Sequence, residues 1–178
     1  MQEKVDLKFK KDYMRKSDNK FANNVQQETD IEERIVQVKR VAKKNKGGNR
    51  ISFTVLMAVG DKKGKVGAAL GKAPNVTAAI KKAITKARKG MIDVTLVEGG
   101  TIAHEVVSKM GATYIMLKPA PVGAGLIAGG AVRTMLELAG VQNISSKIIG
   151  SRNKALNVYN MLQIFADLEK SKTKEKVK

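Results

Sequence analysis

Cysteine is absent from this 178-residue sequence, and histidine occurs once, at His104. Disulfides and thiolate zinc sites are thereby excluded, and the lack of cysteine suits a reducing compartment. A single imidazole cannot build a metal cluster or a Ser–His–Asp set. His104 is expected on a strand, at the surface or half-buried, with Glu105 on the opposite strand face. General acid–base catalysis therefore has little raw material, and no enzymatic activity is expected. Aromatics are scarce as well, with four Phe and three Tyr. Proteins that read single strands stack bases on exposed rings, so a folded nucleic acid gripped by shape and charge fits better. No apolar run approaches the roughly 18 residues that span a bilayer. The opening stretch MQEKVDLKFKKDYMRK also lacks the apolar segment of a signal peptide, so a cytoplasmic location is expected.

What the chain has in excess is positive charge. Thirty-four Lys and Arg stand against sixteen Asp and Glu, for a net +18 and a pI near 10.1. The excess is uneven: residues 31–94 hold sixteen bases and four acids, and between Lys43 and Lys89 the only acid is Asp61. A solvated face without a partner would intersperse both signs. The middle of the chain is therefore expected to bind a phosphate backbone.

Hydrophobic content of 43% supports a real core over most of the length. Residues 1–30 are polar and aperiodic and read as a mobile basic–acidic arm. A strand is favoured from about Arg34, followed by a loop, KNKGGNR, and the alternating strand ISFTVLMAVG. DKKGK makes a tight connection into VGAALGKA, whose Gly67 and Gly71 permit close approach of RNA or of a packed helix. Asn75 is the candidate N-cap of a helix with the stripe Val76, Ala79, Ile80, Ala83, Ile84 and Ala87, stopped by Gly90.

A second unit opens at MIDVTLVEGG, with strands expected at 91–97, 102–108 and 113–118. A helix follows from about Gly129 to Ala139, then a strand in VQNISSKIIG. Asn153 caps a final helix carrying Leu156, Tyr159, Leu162, Phe165 and Leu168. The fold class is α+β, with two small domains at 31–94 and 95–170 and a frayed tail at 171–178.

Two stretches imitate nucleotide loops. In GDKKGK the glycines Gly60 and Gly64 are one residue too close for a Walker loop, and Val66 replaces the hydroxyl. A lysine-tipped hairpin carrying Lys62, Lys63 and Lys65 toward RNA phosphate is the better reading. In PVGAGLIAGGAV, Gly123, Gly125 and Ala128 fit G-x-G-x-x-G/A, yet no acid follows at the distance a ribose needs, and Pro119 and Pro121 separate strand from loop. The stretch also compares with the phosphate loop of galactokinase-type kinases, without the hydroxyls. A helix N-terminus able to hold an anion and a site of close backbone packing both remain open. No cofactor is expected, and no metal.

KGGNRISFTVLMAVGDKKGKVGAALGKAPNVTAAIKKAITKARKGM and PAPVGAGLIAGGAVRTMLELAGVQNISSKIIGSRN, in that order, closely resemble the bacterial family of small-subunit ribosomal protein number five, over about residues 31–170. The resemblance implies a double-stranded-RNA-binding-like β-β-β-α domain followed by a β-α-β sandwich that shares its architecture with those kinases. It implies a structural constituent of the small ribosomal subunit, near the decoding region and the mRNA entry channel, that supports translational accuracy. Its partners would be small-subunit ribosomal RNA, mRNA, and neighbouring ribosomal proteins, number four foremost and number eight second.

By position, KKNKGGNR (Lys43, Lys44, Lys46, Gly47, Gly48 and Arg50) matches the family's rRNA loop, which affects sensitivity to spectinomycin-type drugs. Arg40 matches a basic position at the mRNA entrance. Lys72 and Arg152 complete the expected RNA set. Gly123, Gly125, Gly129, Gly130 and Arg133 would face protein number four. A free-standing double-stranded-RNA chaperone or processing factor is the alternative function, and a metabolite kinase a distant third.

Overall fold

The computed structural model describes residues 31–97 and 99–175, and from Glu32 onward they belong to one compact unit. The expected arm at 1–30 lies outside the described residues. Strands β1 (Glu32–Asn45), β2 (Gly48–Gly60), β3 (Lys65–Ala73) and β4 (Ile92–Asp93) form one antiparallel sheet in that order. Helix α1 (Val76–Lys89) lies on it. A second sheet, ordered β5-β6-β8-β7, comprises β5 (Val106–Met110), β6 (Thr113–Pro119), β7 (Leu126–Ile127) and β8 (Ile144–Gly150). Helices α2 (Gly130–Ala139) and α3 (Lys154–Glu175) complete an α+β fold.

Alternation along β2 decides the layering, because successive side chains point to opposite faces. Val55 and Met57 pack with Ala79 and Ala83 of α1. Leu56 and Ala58 point the other way, into a core shared with Ile115, Leu117, Leu136, Met161 and Phe165. The part of the first sheet around residues 55–60 is thus covered on both faces, and one continuous core joins the two halves. Glycine lets α1 sit close: a Cβ at Gly71 would meet the Ala79 carbonyl oxygen and the Ala83 amide. The packed helix, not RNA, is what these glycines admit.

Several local expectations change. KNKGGNR is no loop: β1 and β2 pair up to Asn45–Gly48, leaving Lys46 and Gly47 as a two-residue turn. Strand pairing recruits polar residues that propensity alone assigns to a loop. The segment 91–97 contributes only two residues to a sheet, and they pair with β3 of the first. The strand expected from 102 begins at Val106, so His104 stands in an exposed bend.

Asn75 occupies the N-cap position of α1, but its side chain makes no capping bond. Asn153 does cap α3, its Oδ1 accepting the Ala155 N–H at 3.2 Å. That helix turns Val158, Met161, Ile164 and Phe165 fully inward and leaves Leu156, Tyr159 and Leu162 half-buried. It runs on to Glu175, into the stretch read as a tail. Its buried Asn160 accepts the Ser108 hydroxyl at 2.8 Å, a polar tie to β5 that a hydrophobic pattern cannot reveal.

Candidate nucleic-acid interface

The β1–β2 hairpin extends past α1 and past the shared core, so its distal half is exposed on both faces. Strand register sorts its cations. Lys43 is opposite Arg50, and Lys39 is opposite Thr54, which in turn faces Lys72 of β3. These residues share the sheet face turned away from α1. Lys43, Arg50, Ser52 and Lys72, with Val41 and Ala42, line a depression of about 290 Å³. Arg40 (opposite Phe53) and Lys44 (opposite Asn49) point to the other face, and Lys46 and Gly47 form the tip.

The charge partners divide the sheet in two. Among the described residues, none of Lys39, Arg40, Lys43, Lys44, Lys46, Arg50 or Lys72 has an ion-pair partner. At the opposite end the cations are engaged. Arg34 meets both Glu32 and Glu137, Lys62 meets Glu32, and Arg88 meets Glu33 at 3.0 Å. Lys65 approaches Asp93 at 4.0 Å.

Lys62, Lys63 and Lys65, expected to reach toward RNA phosphate, lie on a turn whose backbone is held within the fold. Their loop is docked onto α2, where the Lys62 N–H donates to the Leu138 carbonyl at 3.0 Å, while Asp61 Oδ1 accepts the N–H groups of Lys63 and Lys65. Lys39, absent from the set expected from the sequence, shares the face of Lys43, Arg50 and Lys72. Its place on the Lys72 face follows from strand alternation once the pairing is known. Arg152 is exposed in the short link between β8 and α3.

The glycine-rich loop has an internal explanation. Asn143, buried beside it, accepts the N–H groups of Gly123 and Gly125 on one oxygen, each at 3.1 Å, and donates its own amide to the Gly99 carbonyl at 2.7 Å. Gly123 (φ 93°) and Gly125 (φ 73°) hold left-handed conformations that favour glycine and aim both amides at that oxygen. Gly129 packs on Ile148, whose Cδ1 would lie 2.7 Å from an added Cβ, whereas Gly130 faces open space. Two of the loop's amides are thus taken by Asn143, while the N-terminus of α2 carries no side-chain cap. Arg133 is exposed, as expected, but its guanidinium already donates to Glu137 Oε1 at 2.8 Å.

Among the described residues, no group of three or more His, Cys, Asp or Glu could hold a metal ion, and no helix is long and apolar enough to cross a membrane.

Sequence comparison with known families matches residues 31–95 to "Ribosomal protein S5, N-terminal domain" and residues 108–176 to "Ribosomal protein S5, C-terminal domain". The chain belongs to the ribosomal protein S5 family. It is 42% identical over 149 residues to the small ribosomal subunit protein uS5 of Thermosynechococcus vestitus, covering 84% of this chain and 86% of that one. With the uS5 protein of Thermotoga neapolitana the identity is 49% over 124 residues, 70% of this chain and 69% of the relative. The uS5c protein of Porphyra purpurea is 44% identical over 147 residues, 79% of this chain and 84% of the other. The unpaired hairpin cations fall within the S5 N-terminal match, and the glycine loop with Arg133 within the C-terminal match.

Proposed function

We propose that this S5-family chain is a structural, ribosomal-RNA-binding constituent of the small ribosomal subunit, and that the distal half of the β1–β2 hairpin with Lys72 is its main RNA surface. The observation that carries the reading is the segregation of free cations at one end of the first sheet. Carboxylates neutralise the cations at the other end. Free lysines and arginines release counterions when they meet phosphate, while engaged ones must first break a pair. Ser52 and Thr54 add hydroxyls on the same face, suited to 2′-OH or phosphate contacts.

The finer reading follows the family resemblance. Residues 31–94 act as the RNA-binding domain and 95–170 as the second domain, and the hairpin lies near the mRNA entrance with Arg40 on that path. The 123–133 segment faces a protein neighbour, number four foremost, and so bears on accuracy. No catalysis or cofactor is assigned to the chain. The ribosome in the cytoplasm is the proposed location.

The test is twofold: salt-dependent binding of small-subunit ribosomal RNA by the full chain, and its sedimentation in cell lysate. Comigration with small subunits is expected. RNA binding without comigration would favour a free-standing double-stranded-RNA factor, and no RNA binding would end the reading.

A further inference from the structure

The second sheet has one face on the shared core and one that no part of the described chain covers. On β5, β6 and β8, alternate residues such as Val106, Ile115, Leu117 and Ile148 face inward. The outward set forms three cross-strand rows. Val107 aligns with Met116 and Lys147, Lys109 with Tyr114 and Ile149, and Lys118 with Ser145 and Ile127. Val107 is 58% exposed, Ile127 60% and Ile149 50%. With strands about 4.8 Å apart and rows about 7 Å apart, the face measures roughly 15 Å on a side. Exposed apolar side chains gathered on one face mark an interaction site, whereas single ones are ordinary.

We propose that this face docks an acidic protein neighbour, one that offers aliphatic side chains to Val107, Ile127 and Ile149 and carboxylates to Lys109 and Lys147. The proposal rests on the reading of the chain as a small-subunit constituent. Charge decides the partner. The carboxylate found at this face is Glu105, and it pairs with Lys118 at 3.3 Å. Lys147 has no ion-pair partner among the described residues, and Lys109 lies 5.1 Å from the centroid of the Tyr114 ring. A second copy of this chain would set lysines against lysines. RNA would satisfy the lysines but leave the apolar rows without a counterpart. The aromatic ring on which a base could stack, Tyr114, already has the Lys109 ammonium over it. A protein surface with carboxylates around an apolar centre satisfies both sets at once.

The experiment uses the full chain, reconstituted into small subunits from ribosomal RNA and the remaining small-subunit proteins. A photo-crosslinker at position 149 (Ile149→p-benzoylphenylalanine) is expected to attach to a peptide of another small-subunit protein that carries Asp or Glu. The double variant Val107→Ser/Ile149→Ser, which changes no charge, should lose about tenfold against wild type in competition for incorporation, as loss of apolar interface anchors implies. Its binding of protein-free ribosomal RNA should be unchanged.

Crosslinking to RNA, crosslinking to another copy of this chain, or no crosslink in particles that contain the protein would each overturn the proposal. So would equal incorporation of the double variant, or a parallel loss of RNA affinity. The crosslink is read on a chain that keeps both lysines and Val107, so a folding defect in the double variant cannot decide the question. Failure of the wild-type chain to enter particles would instead overturn the functional reading itself.

Discussion

Arg34 of the first sheet's edge strand and Glu137 of α2, 103 positions apart in the chain, form an ion pair across the joint between the halves. Glu137 also holds Arg133, and Arg34 also holds Glu32, so the joint is a chain of alternating charges. The pair links the proposed RNA-binding half to the helix that follows the glycine loop.

This network makes stability depend on acid. In the folded chain Glu137 is held below the ordinary carboxylate range by Arg133 and then Arg34, and Glu32 by Lys62 and then Arg34. A carboxylate whose folded pKa is depressed adds stability that is fully present above its unfolded value of about 4.3. That contribution disappears as pH falls through the folded value. Glu137→Gln should therefore lower the thermal midpoint at neutral pH and flatten its decline on acidification. An unchanged profile in that variant would show that the pair adds no stability in solution.

The partition of cations predicts two different salt responses. Replacing Lys43, Lys44, Lys46 and Arg50 with Ala should flatten the salt dependence of RNA binding by roughly one unit of slope per lost phosphate contact. Replacing Lys62 and Lys65 should change the slope less, because Lys62 pairs with Glu32 and Lys65 has Asp93 nearby. Equal effects in filter-binding titrations would place the RNA surface on the docked loop as well.

The contact between α1 and its sheet predicts an inverted ranking of mutational damage. Ile84 is only half-buried, so Ile84→Ala should cost about 1–2 kcal/mol, below the roughly 2–5 of a fully buried isoleucine. Gly71→Ala forces a methyl group onto helix backbone, and overpacking of this kind costs about 1–3 kcal/mol or more. Denaturant midpoints would rank Gly71→Ala as the worse of the two. The reverse order would mean that the helix can move off the strand at little cost.

Asn143→Ala removes one acceptor from two amides and one donor from the Gly99 carbonyl. A loss of about 1–3 kcal/mol is expected from the unsatisfied buried groups. Hydrogen exchange at Gly123 and Gly125 should accelerate in the same variant. Slow exchange retained at both glycines would deny the Asn143 side chain its role in shaping the loop.

Arg133→Ala breaks an exposed pair four residues apart on a helix, a loss of about 0.3–0.5 kcal/mol. Fold and RNA affinity should stay nearly unchanged. If the segment meets a protein neighbour, the variant should loosen that contact and shift miscoding in a reporter assay. Wild-type accuracy together with wild-type subunit association would remove Arg133 from the interface.

Much of this protein is legible along the chain because the signals involved are local. Alternation in ISFTVLMAVG, the stripe of α1, the Asn153 cap and the charge excess of the middle region each depend on residues within a few positions of one another. The departure of the glycine loop from a dinucleotide fingerprint is likewise a matter of local spacing.

What only the tertiary structure decided are relations between distant residues. Pairing of β1 with β2 turned an apparent loop into strand and put Lys39 and Lys72 on one face, either side of Thr54. Docking of the Asp61–Gly64 turn on α2 goes with an ion pair between Lys62 and Glu32. Asn143 claimed the loop amides from eighteen and twenty residues away. A lysine carries the same charge whether it is free or paired, and an amide the same donor whether it is open or taken. Its partner is chosen by packing, which brings together groups whose separation along the chain leaves no local trace.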